Sequence, residues 1–355
     1  MMSMSGMRFA FLCRERPEPT GKKIAVIGAG PAGLAATGYL VCQGHEVHVY
    51  DKLPEPGGLM LFGIPEFRIP IYRVREGYEE LERVYNVKFF TRTKVYFGNL
   101  EGESGDEFVE NRVDFKELVE KYDAVLIATG TWKCWIPNIE GAELEGVFPA
   151  LEYLFRIKSA KLGHMDWGKV TPVEGKKVLV VGAGHTAVDA ALESVLLGAD
   201  KVYLSYRRTI REAPAGAYEI NLLQQRGVKW LERTMPVRII GENGKVRAVE
   251  LVKTKLSEPD ESGRRRPVPV EGSNFQIDVD YVIFAVGQSP TPPFAEEIGI
   301  AVDKKGRIVV DRRHMTSREG VFAAGDVVLG PSKVGKAVKD GLYAAEAMHM
   351  WLMGR

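Results

Sequence analysis

One hydrophobic pattern occurs twice in this chain. From Lys22 to Asp51 an apolar run, Ile24 to Ile27, leads through a glycine turn to an apolar-rich segment from about Ala32 to Gln43, then to an alternating run, Glu46 to Tyr50. Those periods predict strand, helix and strand. From Lys176 to Arg208 the order repeats, with a strand at Val178 to Val181, a turn, a helix from about Thr186 to Leu197 and a strand at Lys201 to Tyr206. Each copy is answered later by a strand ending in glycine: Ala124 to Gly130, then Tyr281 to Gly287. The stretch 238–282, with turns at Glu242-Asn243-Gly244 and Ser262-Gly263, predicts β-hairpins. Near the C-terminus, Gly320 to Asp326 and a helix from about Val334 to Leu352 form a strand-turn-helix pattern that needs a sheet to join. The second copy is therefore expected to be inserted into the first, with the chain returning afterwards to complete it.

Both copies carry a phosphate-binding signature in their turns. Gly28-Ala29-Gly30-Pro31-Ala32-Gly33 fits G-x-G-x-x-G, and Asp51 closes the second strand. Gly28 permits the sharp turn, Gly30 lets the backbone approach a pyrophosphate, and Gly33 lets the helix pack close to the strand. The helix N-terminus then offers N–H groups to the phosphates. Asp51 suits a ribose 2′-OH. In the second copy, Gly182-Ala183-Gly184-His185-Thr186-Ala187, alanine takes the third glycine's place. Aligning the strands sets Tyr206 where Asp51 stands, and Arg207, Arg208 and Arg211 follow. Guanidinium groups there suit a 2′-phosphate, whereas NAD ordinarily meets a carboxylate, so NADPH is expected over NADH. The plainer alternative is a basic surface at a strand end. His185 is expected to cap the helix or belong to the loop rather than act as acid or base.

Composition narrows the class. At 355 residues the chain exceeds the roughly 100–200 of one domain, which agrees with two cores. A formal net charge of +1 gives no reason to expect nucleic acid or an anionic membrane, and Arg264-Arg265-Arg266 beside Pro267 is expected to be a solvated turn. No window approaches the roughly 20 apolar residues of a membrane span. The N-terminal MMSMSGMRFAFLC has no signal-peptide pattern, so the cytoplasm is expected. Cys13, Cys42 and Cys134 form no metal-ligand spacing, which predicts a reducing compartment, no structural disulfide and no metal site. Cys42 is expected in core packing, Cys134 in a structural role, and Cys13 in packing, an unstructured arm, or contact with a partner's cluster.

The order of Gly28-Ala-Gly-Pro-Ala-Gly33, Asp51, Pro56-Gly57-Gly58, Ala128-Thr129-Gly130, the second fingerprint and Ala324-Gly325-Asp326 resembles the pyridine-nucleotide-dependent flavoproteins built like glutathione reductase. Within that group, Pro56-Gly-Gly-Leu-Met-Leu-Phe-Gly-Ile-Pro-Glu-Phe-Arg-Ile-Pro70, Tyr206-Arg-Arg208 with Glu212-Ala-Pro-Ala215, and Ala323-Ala-Gly-Asp-Val-Val-Leu-Gly-Pro-Ser332 are similar to the small (beta) subunits of NADPH glutamate synthase. The resemblance runs from Gly21 to Gly354. It implies an α/β fold of two Rossmann-like three-layer dinucleotide-binding domains, the NADPH domain (151–289) inserted into the FAD domain (22–150 and 290–355), after an N-terminal extension (1–21). It implies FAD on Gly28, Gly30, Pro31, Ala32, Gly33, Asp51, Lys52, Gly58, Leu59, Arg68, Val95, Thr129, Gly130, Gly325, Asp326, Val334 and Ala337. It implies NADPH on Gly182, Gly184, His185, Thr186, Ala187, Arg207, Arg208 and Gly287. From chemistry alone, Asp326 suits either a polyol or a structural cap, and Arg68 either FAD or the carbonyls of its own loop.

Two departures from the pattern decide what such a chain would do. Disulfide reductases of this fold need a cysteine pair beside the FAD acid or in the NADP domain, and neither is present. These relatives carry a cysteine-rich iron–sulfur domain ahead of the FAD fingerprint, whereas Cys13 alone precedes it in this sequence, so the chain is not expected to hold such clusters itself. The expected function is hydride uptake from NADPH on to FAD, with electrons passed to a partner such as a glutamate synthase large chain or an iron–sulfur protein. No protein acid or base is needed. The alternative is a ferredoxin:NADP reductase or an electron-transfer subunit of another dehydrogenase.

Overall fold

The computed structural model describes residues 7–13, 17–96, 102–259, 265–289 and 298–354; the expected turn at Ser262-Gly263 and Arg264 lie outside them. The chain divides into two compact units, Met1–Lys133 with Gln288–Arg355, and Cys134–Gly287. The first begins with β1 (Lys23–Ile27), α1 (Pro31–Cys42), β2 (Glu46–Tyr50), α2 (Leu59–Phe62), α3 (Ile71–Tyr85), β3 (Lys88–Phe90), β4 (Thr93–Tyr96), β5 (Asn111–Asp114), α4 (Phe115–Lys121), β6 (Ala124–Ile127) and β7 (Lys133–Cys134). The second holds β8 (Val147–Pro149), α5 (Ala150–Lys161), β9 (Lys177–Val181), α6 (His185–Leu196), β10 (Lys201–Tyr206), α7 (Ala217–Gln225), β11 (Lys229–Glu232), β12 (Thr234–Glu242), β13 (Lys245–Pro259), β14 (Arg265–Pro269), β15 (Phe275–Asp278) and β16 (Tyr281–Phe284). The chain then returns through β17 (Gln288–Ser289), β18 (Val321–Ala323), α8 (Asp326–Leu329) and α9 (Val334–Leu352).

Each unit is built on a five-stranded parallel sheet, ordered β18-β6-β1-β2-β3 in the first and β11-β10-β9-β16-β8 in the second. The central strands are buried on both faces, which is why they read as continuous apolar runs. In each sheet the strand carrying the fingerprint lies where strand order reverses, and crevices for ligands form at such a point. The predicted hairpin turn at Asn243-Gly244 joins β12 to β13, which pair antiparallel in a meander with β14 and β15.

The second unit starts at Cys134 rather than at 151. Two contacts move the boundary: β8 pairs in parallel with β16, and Ile139 and Leu144 pack into the core under the meander with Ile239 and Val249.

The N-terminal arm corrects the reading of the cysteines. Phe9 and Ala10 are buried, and a Cβ on Gly38 of α1 would stand 2.0 Å from Phe9 O. Met7 N–H donates to Arg73 O at 3.1 Å. The arm thus crosses α1 and α3, and it brings Cys13 to Cys42, with which it forms a disulfide at a Cα separation of 5.1 Å. Cys13 is therefore neither unstructured nor available to a partner's cluster, and the cysteines give no argument for a reducing compartment. Closing a loop of this length, a separation of 29 residues, stabilises a chain by about 3.6 kcal/mol in the chain-entropy model. Cys13→Ser is expected to lose about that much in denaturant unfolding, and the parent in reductant should match it. A variant as stable as the oxidised parent would refute this contribution.

Candidate functional site

The first fingerprint turn is held by backbone contacts that leave no room for side chains. Gly28 N–H donates to Tyr50 O at 2.8 Å, and at φ +101 a Cβ on Gly28 would meet Ala128 O at 2.4 Å. A Cβ on Gly33 would stand 1.9 Å from Gly28 O. Beside Gly30, by contrast, the space is open. Gly30 caps α1 without any side-chain hydrogen bond, and Pro31 follows as its first residue. The first N–H groups of α1 are thus left for an anion.

Distant parts of the same unit close round this turn. Gly58, at φ +52, approaches Gly30 so closely that a Cβ would be 2.8 Å from its Cα, and Gly57 N–H donates to Ala29 O. From the C-terminal return, a Cβ on Gly325 would meet the Ala32 Cβ at 2.7 Å, and one on Gly341 of α9 would meet Ala32 O at 2.2 Å. Thr129 Oγ1 is buried with no hydrogen-bond partner among the described residues. An open space at a helix N-terminus, walled by glycines and bordered by a waiting hydroxyl, fits a dinucleotide pyrophosphate.

Asp51 is buried at the end of β2 and accepts from Ala29 N–H at 2.6 Å and Leu53 N–H at 2.8 Å. Burial pushes its carboxyl up, against those two bonds and the Lys52 charge. A carboxylate has about four lone-pair sites, so two remain for ribose hydroxyls. Lys52 is engaged elsewhere: its Nζ lies 2.7 Å from both Glu103 Oε1 and Ser104 O and 4.1 Å from the Trp132 ring centroid, and burial lowers its pKa. Val95, buried in β4, follows Thr93, whose N–H donates to Asp51 O. Leu59 opens α2, Gly130 stands at φ +73 with open space beside it, and Arg68 lies over the Phe67 ring at 5.4 Å.

Asp326 opens α8, and burial raises its pKa while Ser332 Oγ donates to its Oδ1 at 2.6 Å. Asp340, which belongs to no sequence motif, accepts from Gly325 N–H at 2.7 Å and lies 3.0 Å from His314 Nε2. Val334 starts α9 after Lys333, which makes no side-chain cap, and Ala337 is buried one turn on.

The second fingerprint repeats the geometry with one change. Gly182 N–H donates to Ser205 O at 2.9 Å, and a Cβ on Gly182 would meet Ala285 O at 2.4 Å, while the space beside Gly184 is open. Ala187, in the third position, is fully buried. His185 and Thr186 begin α6, with His185 Nδ1 3.6 Å from Glu219 Oε1. Gly287 takes φ +134 and its carbonyl accepts from Trp135 N–H. The pairs Ile27↔Tyr50 and Val181↔Ser205 put Asp51 and Tyr206 at the same place in their sheets. The Tyr206 hydroxyl is turned away, donating to Glu212 O at 2.9 Å. Arg207 is exposed, and Arg208 Nε donates to Arg265 O at 3.3 Å.

The family model for pyridine nucleotide-disulphide oxidoreductases matches residues 22–341. The chain belongs to the pyridine nucleotide-disulphide oxidoreductase family. Within this oxidoreductase family it is similar to the glutamate synthase [NADPH] small chain of Halomonas elongata, 38% identical over 93% of this chain and 68% of that one. It is also similar to the NADP(+)-dependent formate dehydrogenase subunit beta of Moorella thermoacetica, 36% identical over 94% of this chain but only 44% of that subunit. Among solved structures, Mycobacterium tuberculosis FprA in complex with NADPH shares the fold, with a TM-score of 0.75 at 20% identity over 95% of this chain and 85% of FprA.

Cys42 ends α1 and the fingerprint begins it, so the Cys13–Cys42 disulfide lies roughly 16 Å along the helix from the turn. Among the described residues no group of His, Cys, Asp and Glu could hold a metal ion, and no helix is long and apolar enough to cross a membrane.

Proposed function

We propose that the first fingerprint holds FAD, the second NADPH, and that the chain is an NADPH-dependent flavoprotein oxidoreductase supplying electrons to a partner. The observation that carries this reading is the exchange at one register position: Asp51 at the end of β2, Tyr206 followed by Arg207 and Arg208 at the end of β10. A carboxylate accepts from a free ribose hydroxyl and repels a phosphate there; guanidinium groups do the reverse. When bound, FAD accepts a hydride from NADPH and passes the electrons on.

The residues bind and orient. The N-terminus of α1 meets the pyrophosphate with Thr129 Oγ1 at its border, Asp51 takes ribose hydroxyls, and Asp326, held by Ser332, suits a polyol chain. The uncapped N-terminus of α9 stabilises negative charge on a ring placed over it. Gly184 and the start of α6 do for the second nucleotide what Gly30 and α1 do for the first.

The partner is a separate subunit or carrier, either a glutamate synthase large chain or an iron–sulfur protein, and the cytoplasm, where NADPH is available, is the setting. A subunit of another dehydrogenase is the second reading, favoured by the similarity to a formate dehydrogenase beta subunit. The test is anaerobic addition of NADPH to the FAD-loaded chain: the flavin band at ~450 nm is expected to bleach. An unchanged band overturns the enzymatic reading, and capture of the partner from native extract separates the two readings of its identity.

A further inference from the structure

The meander sends an arm to the end of β10. β13 is 15 residues long; its first part pairs with β12 and β15, and its later part, from Thr254, with β14. Thr254 Oγ1 donates to Arg207 O at 2.8 Å, and Thr254 N–H donates to Arg233 O at 2.8 Å. Arg233 N–H donates in turn to Arg208 O at 3.1 Å, and Arg208 Nε donates to Arg265 O on β14. Four arginines, two that follow β10, one after β11 and one on β14, are thus joined by hydrogen bonds to one another and to Thr254.

Two acids at this strand end, Glu212 and Glu232, each spend an oxygen on a backbone N–H, and Glu212 also faces Arg208 and Arg233. Glu212 is held by Thr209 N–H and Oγ1, and those bonds, with Arg208 and Arg233 adding to them, hold its carboxyl below the usual range. Glu232 Oε1 accepts from Ile210 N–H. Arg233 moreover adopts φ +52, the left-handed conformation for which glycine is the ordinary choice. A basic residue in such a conformation, its backbone bonded to that of Arg208, points to an anion at the end of β10.

We propose that Arg233 and Arg265 complete, with Arg207 and Arg208, the recognition of the 2′-phosphate of NADPH, and that the β13–β14 arm is part of the specificity site. This rests on the assignment of NADPH to the second fingerprint. It gives Arg265 a role beyond that of a solvated turn residue.

The test is Arg233→Gly with Arg265→Ala in the full FAD-loaded chain. Glycine suits the Arg233 backbone, and alanine keeps the carbonyl that Arg208 uses, so both changes read the side chains. Calorimetric titration with adenosine 2′,5′-bisphosphate is expected to show about tenfold weaker binding, with AMP unchanged. If both nucleotides weaken equally, the arm shapes the adenosine site and the inference is wrong. If this variant binds both like the parent while Arg207→Ala with Arg208→Ala loses the bisphosphate, the inference fails and the NADPH assignment stands. If neither variant distinguishes the nucleotides, both fail.

Discussion

A Gly33→Ala chain is expected to come out of purification without flavin and to unfold well below the parent. The added Cβ would lie 1.9 Å from Gly28 O and 3.1 Å from its carbonyl carbon, and neither is the far end of a flexible side chain. Relief requires the helix to move off the strand, and α1 is trapped from its other side by α9, where Gly341 already touches the Ala32 backbone. Overpacking a closed contact of this kind costs about 3 kcal/mol or more. The same movement opens the pyrophosphate turn, so lost flavin and lost stability come together. Flavin absorbance after gel filtration and denaturant unfolding of the apo chain measure the two. A variant that retains flavin at parental stoichiometry would show that the turn has slack that the contact distances deny.

Arg207→Ala with Arg208→Ala should remove most of the preference for NADPH over NADH. Loss of both phosphate contacts is expected to cost about 2 to 4 kcal/mol in kcat/KM for NADPH, with kcat/KM for NADH nearly unchanged. The Tyr206 hydroxyl is held on Glu212 O and offers no replacement contact. Stopped-flow reduction with each nucleotide measures the ratio; equal losses would mean that the arginines shape the pocket and do not read the phosphate. Adding a carboxylate, as in Tyr206→Asp on this background, should then favour NADH, since that position matches Asp51 in register.

Both β-α-β units were legible because strand burial on two faces, helix length and glycine spacing all leave local marks. The alignment of Tyr206 with Asp51 followed from strand length alone, and the hydrogen bonds of Gly28 and Gly182 place both residues identically. What escaped depends on contacts between distant residues. Cys13 and Cys42 meet only because Phe9 and Ala10 sink against α1, and nothing in the spacing of the two cysteines announces that. The unit boundary was missed because β8 has three residues, too few to show a period, and joins its sheet through β16 far along the chain. Asp340 and His314 likewise meet across the return segment. Arg265 looks like surface charge until β14 is seen to bring its carbonyl to Arg208, and Arg233, after β11, until its N–H is seen to meet Arg208 O.

The contact of Gly341 with Ala32 sets an order of assembly during synthesis. Residues 134–287 form a contiguous unit that leaves the ribosome complete while β1, α1 and β2 still lack β18 and α9. The middle of the chain can therefore fold first as a unit, whereas the first crevice gains its far wall only when the last helix emerges. Flavin capture is then expected only after α9 has emerged, and nascent chains stalled short of residue 341 would carry a finished second unit and an unfinished first one.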